Sequence, residues 1–199
     1  MYSYINKVLV LALSLGFCFA SDQGIAVFMK SKGPVKIKKA STKDVVSTPS
    51  PGQDLYDNDK IETGKNGFAK YLYIDDGTEV KVHSNSEVYV RGSIKDRTII
   101  KQISVSEGVL KFEVKKQTSD EFTVITPTSV ASVKGTDFWL DCNGQSGDQF
   151  FGVSGRVSIK NSISGKMTQL TKNTAASSMP DGSVDLRPIT NSELNNLQS

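Results

Sequence analysis

Residues 122–140 read FTVITPTSVASVKGTDFWL. Phe122, Val124 and Thr126 fall on one side of an extended chain, because successive strand side chains point to opposite faces. Pro127 stops that run, since it has no N–H to give to a ladder. Val130 and Val133 resume the apolar pattern. Gly135-Thr136 then allows a bend with no Cβ in the way before Phe138-Trp139-Leu140 begins another strand. The stretch therefore reads as short strands joined by tight corners, with no helical period.

The same grammar extends in both directions. Gly33-Pro34-Val35-Lys36-Ile37, Gly108-Val109-Leu110-Lys111-Phe112 and Gly155-Arg156-Val157-Ser158-Ile159 each run glycine, any residue, apolar, polar, apolar. Their intervals are unequal, which excludes a regular repeat array. Phe68 to Ile74 is a predicted strand ending at the hairpin signal Asp75-Asp76-Gly77. Val80 and Val82, then Val88 and Val90, alternate with polar residues around the turn Ser84-Asn85-Ser86. Ile99–Val105 and Val109–Val114 read as two strands with Gly108 opening the second. Residues 42–54, with Pro49, Pro51 and Gly52, read as a loop or strand margin. Residues 173–180 read as a small polar tail, and one short helical turn follows Thr190, capped by Thr190 or Ser192. The expected fold is all-β, a solenoid-like stack or sandwich of short strands behind an N-terminal helical signal segment.

Composition sets the class. The chain has 199 residues, 37% hydrophobic and 23% charged, which suits one domain with a sizeable core. Lys7 precedes an apolar run, Val8 to Phe19, that ends in Cys18-Phe19-Ala20. That run is short for a membrane span, and small residues before Ser21 suit cleavage, so residues 1–20 read as a signal peptide. Bulky Phe17 before Cys18 argues against a lipid attachment site. The expected organisation is signal peptide 1–20, a β domain over 21–165, and a C-terminal extension over 166–199. The expected location is periplasmic or at the cell surface, with no transmembrane segment after cleavage. Removing the signal leaves 23 basic residues against 21 acidic ones, too even a balance for nucleic acid. Lys30, Lys32, Lys36, Lys38 and Lys39 cluster, but Lys36 and Lys38 alternate with Val35 and Ile37 as the wet side of a strand. One cysteine, Cys142, then remains without an internal disulfide partner, and it reads as a half-buried thiol at a strand end.

No catalytic constellation is legible. His83 is the only histidine, near a turn, with no second ligand for zinc, and reads as a surface residue. Asp54, Asp57, Asp59 and Glu62 do not have the spacing of a calcium loop. Asp75, Asp76 and Glu79 read as solvated turn acids rather than a glycosidase pair. There is no nucleophile elbow and no phosphate loop. No cofactor is expected. Tyr71 and Tyr73 share a face that would grip a sugar or a protein loop if exposed, or pack the core if not. Of the adjacent pair Phe150 and Phe151, one must point outward; Phe151 is the candidate contact residue.

The order of these pieces resembles the FecR domain of bacterial envelope proteins. Phe122, Val124, Thr126, Pro127, Ala131, Val133, Gly135, Thr136 and Phe138 fit its pattern F-x-V-x-T-P-x-x-x-A-x-V-x-G-T-x-F. Upstream, Asp59-x-Ile61-x-Thr63-Gly64, Asp76-Gly77-Thr78-x-Val80-x-Val82 and Asn85-Ser86-x-Val88 fit as well, and the match covers about residues 30–160. The resemblance implies an exported, non-catalytic interaction or signalling module. Its partner would be an envelope protein or a cell-wall glycan. The alternatives are a carbohydrate- or cell-wall-binding surface protein and a structural subunit of an envelope assembly.

Overall fold

A computed structural model describes residues 23–117 and 120–198; the expected signal peptide lies outside them. Among the described residues, seventeen strands and one helix follow each other. They are β1 (Ala26–Lys32), β2 (Val35–Lys38), β3 (Val45–Val46), β4 (Asp54–Leu55), β5 (Asp59–Thr63) and β6 (Phe68–Tyr73). Next come β7 (Glu79–Val82), β8 (Ser86–Lys95), β9 (Thr98–Val114), β10 (Phe122–Ile125), β11 (Ser129–Val133) and β12 (Thr136–Asn143). The chain ends with β13 (Gly147–Gly152), β14 (Arg156–Asn161), β15 (Met167–Thr171), β16 (Thr174–Ser178), β17 (Val184–Pro188) and α1 (Asn191–Gln198). The all-β expectation is met.

The pairings resolve into two layers. One runs β4-β1-β6-β7-β9-β12-β13-β16-β17. The other runs β3-β2-β5-β8-β9-β10-β11-β14-β15. Strand β9 belongs to both: residues 98–107 pair with β8 in the second layer, and residues 108–114 pair with β12 in the first. The two strands expected on either side of Gly108 are therefore one strand with a corner in it. Only β9 and β10 run parallel; every other pairing among the described strands is antiparallel.

Period-two burial fills the space between the layers. Ala69, Tyr71 and Tyr73 of β6 face Val88 and Val90 of β8 and Ile103 of β9 in one continuous apolar cluster. Phe112 stacks on Phe138 with ring centroids 4.7 Å apart, and both Phe112 and Tyr73 meet Phe122 from the other layer at 5.9 Å. Each such aromatic side chain contributes about 1.5–3 kcal/mol by leaving water. The Tyr73 hydroxyl donates to the Gln102 carbonyl across the core at 2.8 Å, so its polar end is satisfied.

Three features depart from the sequence reading. The chain gains an early strand, β1, before Val35. The polar tail expected at 173–180 is instead β16, whose Ala175 and Ala176 are buried beside β13. Residues 166–199 thus supply β15, β16 and β17, bonded into both layers. Finally, the acids at the 75–77 turn are ion-paired rather than free. Lys101, only 4% exposed, places Nζ 2.7 Å from Asp75 and 3.1 Å from Asp76. Asp76 also accepts from the Thr78 amide and the Gln117 side chain. These contacts overcome the effect of its burial and hold its carboxyl below the usual range.

Candidate functional site

The stretch quoted first surrounds a buried carboxylate. Thr126 follows the last residue of β10, Pro127 turns outward, and Thr128 leads into β11, which Ser129 begins. The three hydroxyls of Thr126, Thr128 and Ser129 converge on Oδ2 of Asp148 in β13, with Ser129 at 2.8 Å. The Ser129 amide donates back to Thr126 Oγ1 at 2.8 Å, which fixes the rotamer that lets Thr126 donate. Asp148 is completely buried, and its Oδ1 has no hydrogen-bond partner among the described residues. A second buried group, Asn161, donates to Ser178 Oγ and the Met179 carbonyl, both at 2.9 Å. The Thr-Pro turn is thereby tied to β13, β14 and β16. Asp148 carried no sequence signal, because nothing local marks an aspartate whose partners lie about twenty residues away.

The other motif residues are also structural. Phe122, Val124, Ala131, Val133 and Phe138 are fully buried. Thr136 Oγ1 donates to the Arg156 carbonyl at 2.9 Å and accepts from the Arg156 amide at 3.1 Å. It thereby pins the corner at Gly135 to the start of β14. A Cβ on Gly155 would sit 2.6 Å from the Gly135 carbonyl oxygen, so the two corners interlock. Lys134 and Arg156 border the two open clefts beside this corner.

The candidate contact residues separate. Tyr71 and Tyr73 are fully buried, so they offer no surface to a sugar or a loop; their apolar neighbours claim them for the core. Phe150 points inward, and Phe151 points outward. Phe151 joins Trp139 and Ala175 in a second apolar cluster on the outer face of the first layer, with Val109, Ile189 and Leu197 packed against it. Cys142 is buried at the end of β12. Burial, then the nearby Asp148 carboxylate, push its thiol well up, which disfavours the reactive thiolate. Asp59 is buried; it accepts from the Tyr56 amide of its own turn at 3.1 Å and ties that turn to Lys39 Nζ at 2.8 Å and the Ala40 amide at 2.9 Å. No group of three or more metal-ligating side chains occurs among the described residues.

His83 is a correction. It was expected at the surface, but it is half-buried, its ring lying between Phe68, edge-on at 5.5 Å, and Trp139 at 5.0 Å. Its Nε2 is buried with no hydrogen-bond partner among the described residues. Burial, then Lys81 and Lys111, lower its pKa from 6.5. An unfolded chain therefore takes up this proton more readily than the folded one. The stabilising effect of the neutral ring is complete above pH 6.5 and is lost as pH falls through the lower folded value. Trp139 is the only tryptophan, and an imidazolium beside an indole quenches its emission. Trp139 fluorescence is expected to drop as the pH falls, with a midpoint below 6.5. His83→Gln removes the step; a midpoint at or above 6.5, or a step that survives the substitution, contradicts this placement.

Comparison with known proteins gives two kinds of match. A family model described as FecR protein matches residues 59–158, half of the chain. Two crystal structures of a provisionally assigned anti-sigma factor from Parabacteroides distasonis ATCC 8503 share the fold. The 2.50 Å structure has a TM-score of 0.58 and 15% identity, over 70% of this chain and 63% of that one. The 1.65 Å structure has a TM-score of 0.56 and 16% identity, over 70% and 64%. The chain thus spans less than two thirds of either solved chain. No curated protein matches it.

Proposed function

Since this chain belongs to the FecR protein family, we propose that it is a non-catalytic signalling or interaction module, exported to a bacterial envelope and acting through protein contacts. The observation that carries this reading is the use of the family's motif residues. Phe122, Val124, Thr126, Ala131, Val133, Thr136 and Phe138 are spent on the core, the Asp148 turn and the Gly135 corner. What remains for function is the surface. The fold shared with a provisionally assigned anti-sigma factor supports a regulatory partner. The N-terminal apolar run supports export. Among the described residues no helix is long and apolar enough to cross a membrane.

A glycan partner loses the feature that suggested it, since Tyr71 and Tyr73 are buried. The deciding experiment is fractionation and affinity purification of the tagged chain from its own bacterium. The reading predicts a processed chain in the envelope fraction, recovered with one stoichiometric protein partner. An unprocessed chain in the cytoplasm, or sedimentation with purified cell wall and no protein partner, refutes it.

A further inference from the structure

Across the outer face of the first layer, one transverse row of paired residues runs Lys70, Lys81, Lys111, Trp139, Phe151, Ala175, Arg187. The first half is an ion-pair ladder: Glu79 bridges Lys70 and Lys81, and Glu113 bridges Lys81 and Lys111. The second half turns apolar at Trp139 and Phe151 and ends at the cation Arg187. Lys111 Nζ stands 5.8 Å from the Trp139 ring centre, so the aromatic pair has a cation on each side.

The chain's own C-terminus lies on this row. Ile189 and Leu197 pack on the Trp139–Phe151–Ala175 cluster, leaving Trp139 9% and Phe151 7% exposed. Glu193 grips Arg187 through two bonds of 2.9 and 2.6 Å. Glu193 also closes a capping box with Thr190, accepting from the Thr190 amide at 2.9 Å. Arg187 first, against the effect of burial, draws the Glu193 carboxyl down to about 2.

This cover is slight. Helix α1 has eight residues, and a helix that short is marginal in water without packing. Among the described side chains, Ile189 just before the helix and Leu197 and Glu193 within it attach it to the sheet. A pocket of about 250 Å³ remains beside it, bordered by Trp139, Phe151, Val153, Ile189 and Leu197. The fit is therefore incomplete, and a longer segment would fill it better.

We propose that the Trp139–Phe151–Ala175 row, with Arg187 at its end, is a docking site for an acidic amphipathic helix of a partner protein. In this state α1 occupies it as an intramolecular substitute. The partner helix would offer apolar side chains to the aromatic pair and a carboxylate to Arg187, the chemistry that Ile189, Leu197 and Glu193 supply here. This rests on the interaction-module reading and gives it a surface.

The test uses the full chain with Leu197→Asp, which weakens the cover at the end of a terminal helix, away from the main core. Leu197→Ser is the milder second variant. The probe is a synthetic peptide of residues 189–199, ITNSELNNLQS, and the readout is Trp139 emission. Either variant is expected to shift the emission to longer wavelength, and the peptide to reverse the shift saturably. The unsubstituted chain should bind the peptide about tenfold more weakly, because its site is already filled. A peptide with Glu193→Gln should bind several-fold more weakly than the parent. Equal binding to covered and uncovered chains, or no emission change at about millimolar peptide, overturns the proposal. A protein partner that co-purifies equally with the Leu197→Asp chain also overturns this site while leaving the interaction reading intact.

Discussion

The Gly108→Ala chain is expected to unfold about 10–15 °C below the parent in a thermal melt. Gly108 sits where β9 passes from one layer to the other, with φ at 112°, a conformation that costs a side-chain-bearing residue about 1–3 kcal/mol. Space adds a second term. A Cβ there would lie 2.0 Å from Ser86 Oγ and 2.5 Å from Ser86 Cα. The Ser86 hydroxyl is already committed, accepting from the Val109 amide at 3.1 Å. Relieving the clash moves backbone in β8, at a further cost of about 1–3 kcal/mol. The two terms sum to about 2–6 kcal/mol, and the middle of that range, about 4 kcal/mol, corresponds to the melting shift stated for a domain of this size. Gly77→Ala is the control. Gly77 also has positive φ, at 73°, but no atom lies within 4 Å of its would-be Cβ. It should lose only about 1–2 kcal/mol. Equal losses at the two positions would show that backbone conformation alone, rather than the contact of the layers, sets the cost at Gly108.

The Asp148→Ala chain should lose about 3–5 kcal/mol in urea denaturation. The carboxylate is the common acceptor of three buried hydroxyls. Hydrogen bonds to a charged group contribute about 1.5–3 kcal/mol, and buried donors left without acceptors add their own desolvation cost. Asp148→Asn keeps an oxygen where Oδ2 stands and should recover roughly half of the loss. Because the unpartnered Oδ1 lies in the same interior as Cys142, the Asp148→Ala chain should also expose its thiol to alkylation at lower urea. If Asp148→Ala melts like the parent, the Thr-Pro turn is held by its backbone and the three hydroxyls are bystanders.

The layered β architecture was legible because period-two alternation decides which side of each strand is buried, whatever its partner. Glycine marked the corners for an equally local reason: Gly33, Gly108 and Gly155 all have positive φ. Partner choice was not local. The corner at Gly108 looked like a strand start, since nothing in residues 98–114 says that one strand serves two layers. Strand β16 was missed because Ala175 and Ala176 are buried by close strand approach rather than by bulk, so the segment resembles a tail. Strand β1 was missed because Lys30 and Lys32 mask the alternation of Ala26 and Phe28.

The site was legible only in outline. Phe151 lies on the outer side of its strand, as its neighbour Phe150 lies on the inner, but its covering by Ile189 and Leu197 depends on a chain reversal near the C-terminus. The reading of Asp75, Asp76 and His83 missed their partners for a shared reason. A polar residue beside a turn is normally wet, and only the tertiary fold brings Lys101 to the aspartates and Trp139 to the imidazole. Asp148 was invisible for the same cause.

The chain's habit of passing back and forth between two layers has a bearing on how it is made. The widest pairing joins Ala26 to Tyr73, and most strands meet partners far nearer in sequence. A polypeptide emerging from the ribosome, or from a secretion channel, can thus lay down one rung after another without waiting for a distant end. The aromatic row takes Ala175 from β16 and is covered by Ile189 and Leu197, so it closes only after the strands of the main core have been laid down.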